Sequence, residues 1–69
     1  MFAEKVMKIT RENGEVLYLS EDMIVNITTD GTEFKKTYKN AEVVSLNEDE
    51  IEIDNASIPW EYIKDISVN

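Results

Sequence analysis

The stretch ASIPWEYIKDI, residues 56–66, contains the only proline and the only tryptophan of a 69-residue chain. A proline ring fixes φ at about −65° and removes a backbone donor, so Pro59 cannot lie inside a central strand and predicts a turn. Trp60 and Ile63 follow at the spacing of one 3-10 turn, and apolar and polar residues then alternate. The stretch therefore predicts a strand, a single 3-10 turn near residues 59–63 and a short last strand.

The rest of the chain also indicates strands, because apolar residues recur with period two and turn residues separate the runs. Asn13-Gly14 predicts a two-residue type I′ turn that joins the first two strands as an antiparallel hairpin. The polar face of residues 32–38 is typical of an edge strand, which Lys39-Asn40 is expected to end. The predicted strands cover residues 6–10, 15–20, 23–29, 32–38, 41–46, 50–54 and 64–68. This pattern predicts an all-β domain in which five to six of these strands form a small antiparallel barrel or meander.

Residues 56–66 also resemble the end of SH3 domains, which commonly read small residue, any residue, apolar, Pro, any, polar, Tyr, Val or Ile, any, any, apolar. Those places are occupied here by Ala56, Ile58, Pro59, Glu61, Tyr62, Ile63 and Ile66. The resemblance covers eleven of the 69 residues and implies an SH3-like barrel. It would also place Pro59 and Tyr62 beside a groove for polyproline helices. The Ala-Leu-Tyr-Asp-Tyr run and the paired tryptophans of SH3 domains are missing, so the resemblance implies the fold and leaves the ligand open.

The composition limits the chemistry that the chain can perform. It contains no cysteine and no histidine, so disulfides, the usual zinc and iron ligands and the usual nucleophile and base pairs are absent. The acidic stretch NEDEIEIDN has neither the glycine nor the ligand spacing of a calcium-binding loop. We therefore predict a protein without catalytic residues, metal or cofactor.

The net charge of −8 is concentrated in the last third, where residues 42–69 carry eight acids and one lysine. Strand alternation would place Glu50, Glu52 and Asp54 on one face about 7 Å apart, close to the phosphate repeat of a DNA strand. The main hypothesis is a protein–protein interaction module whose acidic face binds a basic protein partner. The alternatives are a phage or mobile-element inhibitor that imitates the charge of DNA, and a face that only keeps the protein soluble. The residues proposed for this face are Glu48, Asp49, Glu50, Glu52 and Asp54.

Two other groups of residues are candidate sites. Pro59, Trp60 and Tyr62 could form an aromatic binding corner, or the aromatic rings could plug one end of the barrel. A second group could bind single-stranded nucleic acid by stacking and charge, or could be a solubilising edge strand. That group consists of Phe34, Lys35, Lys36, Tyr38 and Lys39. Residues 35–39 or the strand opposite are also the expected edge for self-association into a homo-oligomer.

The length predicts one domain over residues 1–69. The first ten residues include Glu4, Lys5 and Lys8 instead of a long apolar run, so neither a signal peptide nor a membrane span is expected there. Without cysteines, nothing indicates an oxidising compartment, and we expect a cytoplasmic protein.

Overall fold

The computed structural model describes residues 6–69, which form seven strands and one 3-10 turn. Strands β1 and β2 pair in a two-stranded antiparallel sheet, and the other five form an antiparallel sheet in the order β6-β5-β4-β3-β7. The strands are β1 Val6–Thr10, β2 Val16–Ser20, β3 Ile24–Thr29, β4 Thr37–Leu46, β5 Glu50–Ile53, β6 Ser57–Pro59 and β7 Ile63–Val68, and the 3-10 turn is Trp60–Tyr62. The all-β prediction is confirmed, whereas the strands of residues 6–69 do not form a closed barrel. No helix in this part of the chain is long and apolar enough to cross a membrane.

The core is built from the inward-facing residues of the alternating strands. Leu46, Ile51 and Ile58 form a row across β4, β5 and β6 and are exposed by 1% or less. Met7 and Ile9 on β1 pack against this core, whereas their neighbours on the other face of β1 are exposed, as the alternation predicted. The buried apolar residues are Leu19, Val25, Ile27, Tyr38, Ala41, Val43, Leu46, Ile51, Ile53, Ile58 and Ile66.

The hairpin between β1 and β2 is confirmed, but the predicted type I′ turn is wrong. The N–H of Arg11 donates to the Glu15 carbonyl at 2.7 Å, and the N–H of Gly14 donates to the Arg11 carbonyl at 2.9 Å. Three residues therefore form the loop, and of these only Gly14 has a positive φ, +90°. This is the geometry of a type I turn followed by a bulge, which needs one left-handed residue instead of two.

Replacing Gly14 with valine is expected to lower the free energy of unfolding by about 1–2 kcal/mol, because a β-branched residue is strained at this φ. No atom lies within 4 Å of the position that a Cβ would occupy, so the cost is one of backbone strain alone. Urea denaturation followed by circular dichroism measures the change. Gly14→Asn is the matched control and should cost less, since asparagine tolerates left-handed backbone. Equal stability of the valine variant and the wild type would contradict the assigned turn.

The predicted strand at residues 32–38 is wrong for residues 32–36, which belong to a loop over residues 31–36, whereas residues 37 and 38 begin β4. The fully buried Thr29 holds this loop: its Oγ1 donates to the Lys35 carbonyl at 2.9 Å and accepts the Gly31 N–H at 3.0 Å. The apolar side chain of Phe34 turns inward against Tyr62, with ring centroids 5.3 Å apart. Tertiary contacts therefore determine the conformation of these residues, and the alternation of apolar and polar residues does not reveal such contacts.

Lys39 and Asn40 form a bulge within one long strand instead of a break between two. The pairing of β3 with β4 shifts between Val25 and Ile27, and Asn40 has a φ of +54°. The Asn40 N–H donates to Oδ1 of Asn26 at 3.1 Å, which satisfies the backbone group that the bulge frees. Strand β4 consequently lies between β3 and β5, and residues 35–39 are not the sheet edge that self-association was expected to use.

Candidate functional site

Trp60 fastens the 3-10 turn to the turn between β4 and β5. Its indole N–H donates to the Asn47 carbonyl at 2.7 Å, and its backbone N–H donates to the Asp49 carbonyl at 3.2 Å. The Asn47 side chain in turn accepts the N–H groups of Asp49 and Glu50 at 2.8 and 2.9 Å. Trp60 is half-buried and packs against the core, so it has a structural role and also retains an accessible surface.

Tyr62 lies on a different side of the 3-10 turn from Trp60. A 3-10 helix has about three residues per turn, so residues two apart point in different directions. The Tyr62 ring packs against Phe34 at an interplanar angle of 60°, and the negative charge of Glu33 together with partial burial raises the pKa of its hydroxyl. The structure therefore does not gather Pro59, Trp60 and Tyr62 into one aromatic corner.

A groove of about 390 Å³ lies between β1 and β7. Its walls are residues 7–11 and residues 63–66, and Glu48 and Trp60 complete the lining. Sequence reasoning missed this groove because its two walls are more than fifty residues apart in the chain. Only Trp60, among the residues proposed for the aromatic corner, contributes to it.

Arg11 and Asp65 connect the two walls of the groove. The Arg11 Nε lies 3.3 Å from Oδ1 of Asp65 and Nη2 lies 3.1 Å from Oδ2, a two-point ion pair. Nη1 of Arg11 also contacts a carboxylate oxygen of Glu15 at 2.5 Å. The hydrogen bonds from Arg11 hold the pKa of the Asp65 carboxyl below its usual range, and the pKa of Arg11 is raised in return.

This ion pair predicts a pH dependence of stability. A carboxyl whose pKa is lower in the folded state stabilises the fold above its unfolded pKa of about 3.9, and the stabilisation disappears as the pH falls through the folded value. The thermal midpoint of the wild type should therefore fall relative to that of Asp65→Asn as the pH decreases from about 5 to 2.5. Glu52→Gln, which removes an exposed carboxylate that forms no ion pair with a described residue, is the control. Parallel pH profiles of wild type and Asp65→Asn would contradict the prediction.

The acidic residues lie along β5 and in the turns on either side of it. Glu50 and Glu52 belong to β5, with Glu50 half-buried and Glu52 exposed, and Asp54 is exposed in the following turn. The Asp54 N–H donates to the Glu42 carbonyl at 3.1 Å, so Glu42 on β4 joins the group, a neighbour that sequence reasoning left out. Glu48 and Asp49 lie in the preceding turn, and Glu48 lines the groove. Glu48 and Asp49, which were predicted to belong to the acidic face, lie in the turn before β5, so from here on the acidic face means Glu42, Glu50, Glu52 and Asp54.

The acidic face has no internal counterion among the described residues, where the ion pairs are those of Arg11 with Glu15 and Asp65. Two apolar side chains are exposed close to it. Ile24 is 40% exposed and is the cross-strand partner of Glu42, and Val44, two residues further along β4, is 48% exposed. The surface therefore combines unpaired negative charge with accessible apolar area.

The basic and aromatic residues of the nucleic-acid alternative do not present exposed rings. Tyr38 is buried, its hydroxyl accepts the Lys35 N–H at 3.2 Å, and the Lys35 ammonium lies 5.7 Å from the ring centroid. Phe34 is half-buried against Tyr62. Lys35, Lys36 and Lys39 are exposed, but base stacking needs accessible aromatic faces.

Within residues 6–69, no three acidic side chains converge as a metal site. Comparison of the chain with protein-family models, curated proteins and solved structures finds no match.

Proposed function

We propose that this protein is a non-catalytic interaction module whose acidic face binds a basic surface of a partner protein. The observation that supports this function is that carboxylates with no ion pair among the described residues lie beside the exposed side chains of Ile24 and Val44 on one side of the large sheet. Carboxylates held on paired strands keep a fixed spacing, so a partner meets a preorganised charge pattern. Apolar area beside the charges gives the complex a contribution that salt does not screen.

We also propose that the domain has the strand arrangement of an SH3-like barrel in an open form, and that it lies in the cytoplasm. The support for the fold is that β3 to β6 follow one another as a meander, after which the 3-10 turn leads into β7 beside β3. The absence of cysteine is in keeping with a reducing compartment.

The test is affinity capture with the protein as bait, followed by titration of each purified partner at increasing salt. A basic partner is expected, and its affinity should fall steeply between about 0.05 and 0.5 M salt, because exposed charges are screened. The proposal would be contradicted if no captured partner had a basic surface, or if the affinity of the basic partner did not change with salt.

Charge mimicry of DNA is a narrower form of the same proposal. It is favoured by the alternate positions of Glu50 and Glu52 on β5, which a strand separates by about 7 Å. Under this form, duplex DNA should displace the protein from its partner. Failure of DNA to compete would leave the acidic face as a binding surface for an ordinary basic protein.

A further inference from the structure

The groove between β1 and β7 is bordered by the backbone edges of both strands. Side chains alternate between the two faces of a strand, so a surface in front of one face meets every second residue. The groove instead meets five consecutive residues, 7–11, and four consecutive residues, 63–66. It therefore runs along the edges of the two strands, where backbone N–H and C=O groups point.

Both edges lack a strand partner on the groove side. Strand β1 pairs with β2 and β7 pairs with β3, and no backbone hydrogen bond joins β1 to β7 in the described part of the chain. Because the Arg11 N–H points to β2, the alternation of an antiparallel strand directs the N–H groups of Lys8 and Thr10 into the groove. On β7, the Asn69 N–H points to β3, so the same alternation directs the Ile66 N–H to the groove side, where the Asp65 carboxylate lies near it.

The side chains that line the groove determine which kind of ligand it can bind. Met7, Ile9, Ile63 and Trp60 pack partly against the core and supply apolar lining. Lys8 and Lys64 are exposed and form no ion pair with a described residue, whereas Arg11 and Asp65 neutralise each other. With Glu48 as the remaining acid, the groove carries a net charge of +1 (three cations minus two anions) on a protein of net charge −8.

We propose that the groove binds an extended acidic segment of a partner protein, which inserts as a strand between β1 and β7. Such a segment would alternate glutamate or aspartate with apolar residues, directing the acids to Lys8 and Lys64 and the apolar residues to the lining. The volume of about 390 Å³ lies within the range of ligand sites. The opposite edge of the sheet is less suited, since Pro59 on β6 has no N–H to donate. This site is distinct from the acidic face. It prefers an acidic partner segment, whereas the acidic face prefers a basic partner surface.

The probe is a capped eight-residue peptide in which valine alternates with glutamate. Binding should change the fluorescence of Trp60, the only tryptophan, and should slow hydrogen exchange at the amides of Lys8, Thr10 and Ile66. A peptide with lysine in place of glutamate should bind at least about tenfold more weakly. Equal binding of the two peptides, or slowed exchange elsewhere only, would overturn the proposal.

Two further comparisons test strand insertion itself. Peptides N-methylated at either alternate set of residues lose the donors toward one edge, and both should bind at least about tenfold more weakly, because an inserted strand uses both edges. In the protein, Thr10→Pro removes a groove-facing N–H and should weaken binding, whereas the control Thr10→Val keeps that donor and should bind as the wild type does. Unchanged binding of both N-methylated peptides would overturn insertion. So would a dimer by light scattering that already protects these amides without peptide, since a second copy would then fill the groove.

Discussion

Ile51→Ala is expected to remove much of the free energy of unfolding of the protein at 25 °C. Ile51 is fully buried between Leu46 and Ile58 in the row that crosses β4, β5 and β6. Truncating a buried isoleucine to alanine costs about 2–5 kcal/mol, since it removes transfer free energy and leaves a cavity. A domain of this length has a total stability of about 3–10 kcal/mol, so one such change removes much of it.

Ile24→Ala is the matched control for this experiment. Ile24 is the same residue type on a central strand but is 40% exposed, so its truncation should cost about 1 kcal/mol or less. Urea denaturation followed by circular dichroism compares the two variants. If Ile51→Ala were no more destabilising than Ile24→Ala, the row from Leu46 to Ile58 would not be the centre of the core.

The parts of the fold that the sequence predicted are those determined by neighbouring residues. Ile51 and Ile53 alternate with acids and belong to β5 with both side chains buried. Pro59 ends β6 and a 3-10 turn follows at Trp60–Tyr62, because the missing donor and fixed φ act locally. The hairpin at Asn13-Gly14 was also predictable, because the turn signal lies in two adjacent residues. The turn type was not, because a type I turn with a bulge accepts the same two residues as a type I′ turn.

The parts that were missed depend on residues far apart in the chain. The loop at residues 31–36 is held by Thr29 and by the contact of Phe34 with Tyr62, a residue from the end of the chain. The bulge at Asn40 depends on the side chain of Asn26 on the neighbouring strand. Period-two alternation contains no information about either contact. The prediction based on it therefore placed a strand in the loop and treated the single strand β4 as two strands.

The candidate sites also differ in whether neighbouring or distant residues determine them. The negative charge of β5 could be located from the sequence, because alternation alone sets the direction of Glu50 and Glu52. The groove could not be located, since it requires β1 and β7 to face each other, and the side chains of Arg11 and Asp65 connect them across 54 positions of sequence. The sequence identifies Trp60 as the only tryptophan. Its position between the turn at Asn47 and the groove follows only from the tertiary structure.

Replacing Glu50, Glu52 and Asp54 with lysine is expected to abolish binding to the captured basic partner. Three reversed charges turn attraction into repulsion across the interface, and the affinity should fall by about 100-fold or more. Glu52 and Asp54 are exposed and Glu50 is half-buried, and none forms an ion pair with a described residue, so the fold should remain. Affinity is measured by titration at constant salt, and the fold is checked by circular dichroism.

Each reversal adds two units of charge, so the variant has a net charge of −2 (−8 plus 6), and the loss of net charge needs its own control. Replacing Glu12, Glu21 and Glu33 with lysine also gives −2 but changes exposed acids outside the acidic face. This matched variant should lose much less affinity than the acidic-face variant, because its three carboxylates lie in the loops that follow β1, β2 and β3 and not on β5. Equal losses in the two variants would mean that the partner responds to total charge and not to this surface. If the acidic-face variant still bound the partner, the binding site would have to lie elsewhere than on β5.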